Sequence, residues 1–186
     1  MTSYIQSVGM IEFSSIAAGI EASDRMLKAS NVEVLMLKTI CPGKFVAAIH
    51  GDVAAVEAGI AAGIDGADGT VADHFVIASI DQAVVGAMSG IASANPTGYC
   101  LGVIETFSAA SAIVAADRAV KTAEVEIAEV RIAMGLGGKA FVLLTGDVAA
   151  VKMAVDTASD AAAESAMLVR SVVIPSVTPE VLRNIL

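Results

Sequence analysis

Apolar and polar positions change period several times along the chain, and the changes come in the same order in each half. Residues 7–13 form a short apolar run that reads as a strand. Ser14 or Ser15 then stands where a helix cap accepts an otherwise unpaired backbone N–H, and helical spacing continues to about Ala29. Ile16, Ile20 and Leu27 share one face of that helix, while Glu21 with Arg25 and Asp24 with Lys28 form i,i+4 charge pairs on another. Residues 32–40 and 45–50 read as two strands joined at Cys41-Pro42-Gly43, where Pro42 suits the first central turn position and Gly43 the positive φ of the second. Asp52 is placed to cap an alanine-rich helix ending near Gly69, and a last strand covers 71–80.

The second half predicts a strand over 99–105, a helix over 109–122, strands over 125–133 and 140–145, a helix over 147–165 and a strand over 167–174. Thr178-Pro179-Glu180 marks the start of a short terminal helix, with Thr as cap and Pro in the first turn. Each half is therefore strand, helix, strand, strand, helix, strand. That is the split βαβ order of an α/β (α+β) ferredoxin-like βαββαβ fold, a sheet with helices on one face.

The shared order reflects a true repeat. G-M-I-E at Gly9 returns as G-V-I-E at Gly102, Asp24-Arg25 as Asp117-Arg118 and Lys28 as Lys121, and twelve of the twenty-six residues from Gly9 to Val34 are identical. Gly51-Asp52-Val53-Ala54-Ala55-Val56 returns as Gly146-Asp147-Val148-Ala149-Ala150-Val151, shifted by two further residues. Alanine richness alone does not yield an ordered match of Gly, Glu, Asp, Arg and Lys. The repeat divides the chain into two domains, 1–95 and 98–186, joined at the polar segment 93–98. Between them the unlike stretches are Lys38-Thr39-Ile40-Cys41-Pro42-Gly43-Lys44-Phe45 and its longer, glycine-rich counterpart 131–140; the flanking cations persist, Lys38 as Arg131 and Lys44 as Lys139.

Composition adds limits. Hydrophobic residues make up 56% of the chain and mean hydropathy is +0.76, which brings a membrane reading into play. The longest charge-free run, 82–104, is broken by Ser89, Gly90, Ser93, Asn95, Pro96 and Gly98, whereas a spanning helix needs about 20 mainly apolar residues. The first residues lack a basic region followed by an apolar core, so no signal peptide is expected. The apolar surplus points instead to subunit interfaces and a homo-oligomer. A net charge of −9, with 4% aromatics and no basic cluster, leaves nucleic-acid binding without phosphate neutralisation or stacking.

Catalytic patterns are weak. Residues 135–139 resemble a phosphate loop only loosely: Ala133 stands where its first glycine belongs, and Ala140 replaces the Ser or Thr that ligates magnesium. His50 and His74 have no second ligand at metal spacing, and Glu12 and Glu105 end equivalent strands with no partner carboxylate at a defined spacing. No enzyme is expected. Two cysteines at non-equivalent places argue against a disulfide framework and for a reducing, cytosolic setting. Cys100 lies in an apolar strand, where inert packing is its default. Cys41 lies in a turn, accessible, with Lys38 and Lys44 nearby to favour its thiolate.

In both halves the chain resembles the bacterial microcompartment shell domain, through G-M-I-E and G-V-I-E, the D-R-x-x-K helix segments and the G-D-V-A-A-V segments. The resemblance to tandem shell proteins implies a trimer that imitates a six-domain tile, a trimeric pseudohexamer, working with other shell proteins in a cytoplasmic microcompartment shell. K-T-I-C-P-G-K-F resembles the propanediol-utilisation type, which implies one iron–sulfur cluster, of the 4Fe-4S kind, per trimer. Cys41 is then its metal ligand, contributed by three chains, with the fourth iron held by water, a small ligand or another group. The same resemblance implies pore-lining roles for Pro42, Gly43, Gly135, Leu136, Gly137 and Gly138, tile-edge roles for Lys28 and Lys121, and electron transfer to encapsulated redox enzymes. It departs from shell domains in lacking the arginine that follows the final strand's proline; Ala78-Ser79 and Pro175-Ser176 stand there. Two alternatives remain at this point: a shell tile with an open or gated metabolite pore, and a ferredoxin-like trimeric regulator binding a small molecule.

Overall fold

The computed structural model describes residues 5–90, 100–132 and 135–185. It forms two compact units, the first comprising residues up to 82 together with the loop 135–138, the second residues 83–132 and 139 onward. The first holds β1 Ser7–Phe13, α1 Ile16–Ala29, β2 Glu33–Ile40, β3 Lys44–Gly51, α2 Val53–Asp65 and β4 Val71–Ile77. A short α3, Gln82–Met88, follows. The second repeat consists of β5 Cys100–Thr106, α4 Ala109–Thr122, β6 Val125–Ile132, β7 Ala140–Gly146, α5 Val148–Glu164 and β8 Leu168–Ile174, followed by α6 Pro179–Ile185.

Both sheets are four-stranded and antiparallel, in the orders β2-β3-β1-β4 and β6-β7-β5-β8, as the split βαβ pattern requires. Irregularities are duplicated too. The register slips between Glu12 and Phe13 and again between Glu105 and Thr106, and between Val34 and Met36 and again between Ile127 and Glu129.

Close approach of helix to sheet explains the repeated glycine at the head of each G-x-I-E segment. A Cβ on Gly9 would lie 2.5 Å from Ile60 Cγ1 and 2.8 Å from Val56 Cγ1; one on Gly102 would lie 2.7 Å from Val155 Cγ2 and 2.8 Å from Val151 Cγ1. Ile11, Phe13, Ala22, Met26, Phe45, Ala47, Ile49, Val56 and Ile60 fill the space between sheet and helices in the first unit. Where the repeats differ here, they differ in compensating pairs. Gly19 lies under Phe45, whose Cδ1 is 2.6 Å from where a Cβ would be, and the corresponding residues in the second repeat are Ala112 and Ala140. Met26 packs over Gly63; the second repeat has Ala119 and Ala158 there, both fully buried. The methionine-for-alanine exchange keeps core volume nearly constant, the condition under which cores tolerate substitution, whereas the exchange of Phe45 for Ala140 leaves a smaller side chain over the helix.

The helix caps follow the sequence in part. Ser15 accepts from the Ala18 amide at 3.4 Å and Ser108 from that of Ser111 at 2.9 Å. Asp52 occupies the N-cap position of α2, but its side chain makes no cap hydrogen bond, contrary to expectation, and α2 stops at Asp65, short of Gly69. A strand ending at Ile77 corrects the expected end at 80. Helix α3 was not expected; it buries Val84, Ala87 and Met88. The joint at 93–98, Tyr99 and Ala133 lie outside the described residues.

The packing of α1 shows which of its faces the core takes. Its buried residues are Gly19, Ala22, Ser23 and Met26, so Ile16, Ile20 and Leu27 point outward with the charge pairs rather than into the core. Gly9→Val tests the helix-to-strand contact: overpacking should destabilise by about 1–3 kcal/mol, read as a lower urea midpoint with unchanged slope.

Candidate functional site

Each candidate loop joins the second and third strands of its sheet, and each is held at its base by the same pair of residues. Glu12, near the end of β1, is fully buried, and its Oε1 accepts from Lys44 Nζ at 2.7 Å. Lys44 is the first residue of β3, one position after Gly43. In the second repeat Lys139 donates to Glu105 in the same way. The two pairs are the structural meaning of the retained Lys44/Lys139 and of the repeated final Glu in G-M-I-E and G-V-I-E. The sequence offered a signal, an equal retention of both partners once the two-residue loop insertion is counted, but searching for carboxylate partners missed it. Removing one partner of the buried Glu12–Lys44 pair strands a charge, at a cost on the order of 3 kcal/mol.

Cys41 sits beyond this base, exposed and with a free thiol. Gly43 adopts the expected positive φ, 68°. The expected role of Pro42 is corrected: the Cys41–Pro42 peptide is cis, an arrangement typical of proline at the second central turn position. Lys44 is turned to Glu12 instead of standing free beside the thiol, and Lys38 lies exposed on β2 opposite Val46.

The glycine-rich loop lies against this turn. Gly135, Gly137 and Gly138 all have positive φ, at 72°, 61° and 90°. Added Cβ atoms on Gly135 and Gly137 would meet nothing within 4 Å, whereas one on Gly138 would lie 2.9 Å from Pro42 Cδ and 3.7 Å from Lys44 Nζ. Leu136 is partly buried. The structure thus brings together Pro42, Lys44 and Gly138 within the first unit.

Lys28 pairs with Asp24 at 2.5 Å on an exposed surface, and Lys121 with Asp117 at 2.5 Å where Asp117 is buried. Arg131 binds Glu129 and lies 5.1 Å over the Phe141 ring, beside a cavity of about 520 Å³ also lined by Val103, Glu105, Leu143 and Ile185. His50 faces Glu33 at 3.9 Å across the β2–β3 ladder, and His74 lies on β4.

Among the described residues no group of three or more His, Cys, Asp or Glu could hold a metal within one chain. An exposed thiol at a loop tip nevertheless suits a ligand shared between chains, since thiolate is the donor that iron–sulfur clusters use. Cys100 is buried, and burial pushes its thiol up from the ordinary value of 9.0. Among the described residues no helix is long and apolar enough to cross a membrane.

Fold, repeat and loop together define a class. The chain belongs to the BMC-domain family, whose domain matches residues 7–80 and again 100–177. It is a tandem shell protein closely related to the PduT type: it is 45% identical to bacterial microcompartment shell protein PduT of Citrobacter freundii over 170 residues, 91% of this chain and 92% of that one. A crystal structure of a microcompartment protein from Desulfitobacterium hafniense superposes with a TM-score of 0.84 at 48% identity, covering 97% of this chain and 99% of that one. A fused permuted hexameric shell protein of the RMM microcompartment gives a TM-score of 0.64 at 25% identity over 87% of each chain. The chain is a structural component and not an enzyme.

The two thiols should separate chemically. At pH 8 in the folded, metal-free protein an alkylating reagent should label Cys41, and Cys100 only after unfolding, as peptide mass mapping would resolve. The neutral Cys100 thiol is favoured by the fold, so the stability it contributes is complete below about pH 9 and is lost as pH rises above it.

Proposed function

We propose that three copies of this chain close into a ring of six BMC domains, a trimeric pseudohexamer, with the loops at Cys41-Pro42-Gly43 and 135–138 lining its centre. The reading takes residues 1–95 and 98–186 as the two shell domains. The observation that carries it is an asymmetry between equivalent faces of the two repeats. Ile20 on α1 is 56% exposed and its counterpart Ile113 on α4 is 0% exposed; Val34 and Leu37 on β2 are 44% and 41% exposed, against 5% for Ile127 and 8% for Val130 on β6. In a closed ring built from a duplicated chain, half of the repeated interfaces fall within chains and half between them. The apolar α1/β2 face of the first repeat is then the half that a second copy covers. Burial there is worth about 25 cal/mol per Å² of apolar area.

In this assembly Cys41 of each chain contributes one thiolate to a 4Fe-4S cluster at the centre of the trimer. Such a cluster supplies one-electron transfer, here between the lumen and the cytosol of a microcompartment whose shell this chain builds with other shell proteins. The three thiolates leave one iron to water or a small ligand. Encapsulated redox enzymes are the partners that this role implies. Lys28 and Lys121, on helix surfaces, serve the edges where tiles meet. Zinc bound by the same three thiolates is the chemical rival and would leave the protein colourless.

Anaerobic purification followed by absorption spectroscopy and iron and sulfide analysis tests the cluster. Cys41→Ser should abolish colour and iron while the protein remains a trimer, and Cys100→Ser should retain both. Equal iron in the wild type and Cys41→Ser refutes the assignment. Interface placement is tested separately: Ile20→Asp should shift the protein from trimer to monomer in sedimentation, whereas an unchanged trimer would show that the α1/β2 face is not the contact between copies.

A further inference from the structure

We infer that Gly138 is a positioning residue for Cys41, acting through Pro42 and Lys44. The inference rests on the proposal that Cys41 is a ligand, but its geometric basis is independent of any metal. Two short loops are each pinned at the strand that follows them, the first by Lys44 on the buried Glu12 and the second by Lys139 on Glu105. Gly138 directly precedes the pinned Lys139, and Pro42 and Lys44 flank Gly43. The two loops come closest where Gly138 has no side chain: a Cβ there would stand 2.9 Å from Pro42 Cδ, inside ordinary van der Waals contact, and 3.8 Å from Lys44 Cε. Pro42 is bonded directly to Cys41, so pressure on its ring moves the residue that carries the thiol.

The glycine loop therefore does more than widen the turn of the second repeat. It buttresses the unlike loop of the first, and Gly138 sets how closely the buttress seats. Three glycines of this loop share positive φ, yet only Gly138 touches the cysteine turn among Gly135, Gly137 and Gly138. Backbone strain and contact can thus be separated by experiment, because Ala at Gly135 or Gly137 incurs the strain of positive φ without the collision.

The test compares Gly138→Ala with Gly137→Ala in the full-length protein, using two readouts: iron and sulfide retained after anaerobic reconstitution, and the alkylation rate of Cys41 in metal-free protein. Sedimentation and thermal unfolding establish that each variant is folded. Gly138→Ala should lower the retained iron by about half or more and change the Cys41 alkylation rate by about threefold or more, since a loosened supporting shell misplaces a ligand. Gly137→Ala should leave both near wild type. Lys44→Arg, which keeps a cation for the buried Glu12 while enlarging the group beside Gly138, should move both readouts in the same direction as Gly138→Ala and serves if that variant does not fold. Wild-type behaviour of Gly138→Ala, or an equal loss in Gly137→Ala, overturns the inference. If the wild type takes up no iron, the cluster proposal fails by itself, and the alkylation rates still decide whether Gly138 positions Cys41.

Discussion

The contact between the second helix of each repeat and its central strand sets the geometry of everything else. Val56 and Ile60, or Val151 and Val155, press onto a backbone that bears no side chain at Gly9 or Gly102. With the helix seated there, the strand that follows Gly9 must deliver Ile11 and Phe13 to the core and Glu12 to the opposite face, because side chains alternate along a strand. Glu12 is fully buried near the sheet's end, where a cation on the neighbouring strand can balance its charge. Lys44 does so from the first position of β3. A packing requirement at Gly9 thus ends in an ion pair at the base of the loop that carries Cys41.

Much of this was legible in the chain because a duplication supplies its own internal control. Strand and helix order, the Ser15 cap and the charge pairs of α1 were read from spacing and type, which local physics fixes. The loop geometry was legible at Gly43 and not at Pro42, since proline declares its restricted φ but not the isomer of the bond before it. The outward aim of Ile16, Ile20 and Leu27 was not legible either. An apolar stripe at helical period states that something covers it, and only the positions of Gly19, Ala22 and Met26 against the sheet tell which stripe the chain's own core takes. Glycine and alanine, weak signals of burial in a hydropathy pattern, here mark the side of closest packing.

That choice of small residues for the inner face has a consequence for assembly. A helix packed through Gly19 and Ala22 lies close to its sheet and leaves its bulky residues on the outside, where Ile20 stands with Val34 and Leu37 of the adjoining β2 surface as exposed apolar groups. The second repeat keeps the isoleucine, as Ile113, and the aliphatic character, as Ile127 and Val130, yet buries all three within a single chain. The same face therefore meets two different fates in one polypeptide. The core of each domain, by contrast, exchanges Gly19 and Phe45 for Ala112 and Ala140.

The repeats also diverge in the loops that join their second and third strands. The two loops keep their Lys–Glu bases and differ beyond them: one carries Cys41 on a tight turn, the other spends its two additional residues on a glycine-rich path that reaches Pro42. An unduplicated shell domain assembled six times would place six copies of any thiol-bearing loop around one axis, crowding a centre where a cluster needs four ligands at most. In the proposed trimer the duplicated chain would bring three cysteine loops and three glycine loops to that axis. On this argument the glycine loop is the counterpart of the cysteine loop, and the two loops come together within the first unit where a Cβ on Gly138 would stand 2.9 Å from Pro42 Cδ.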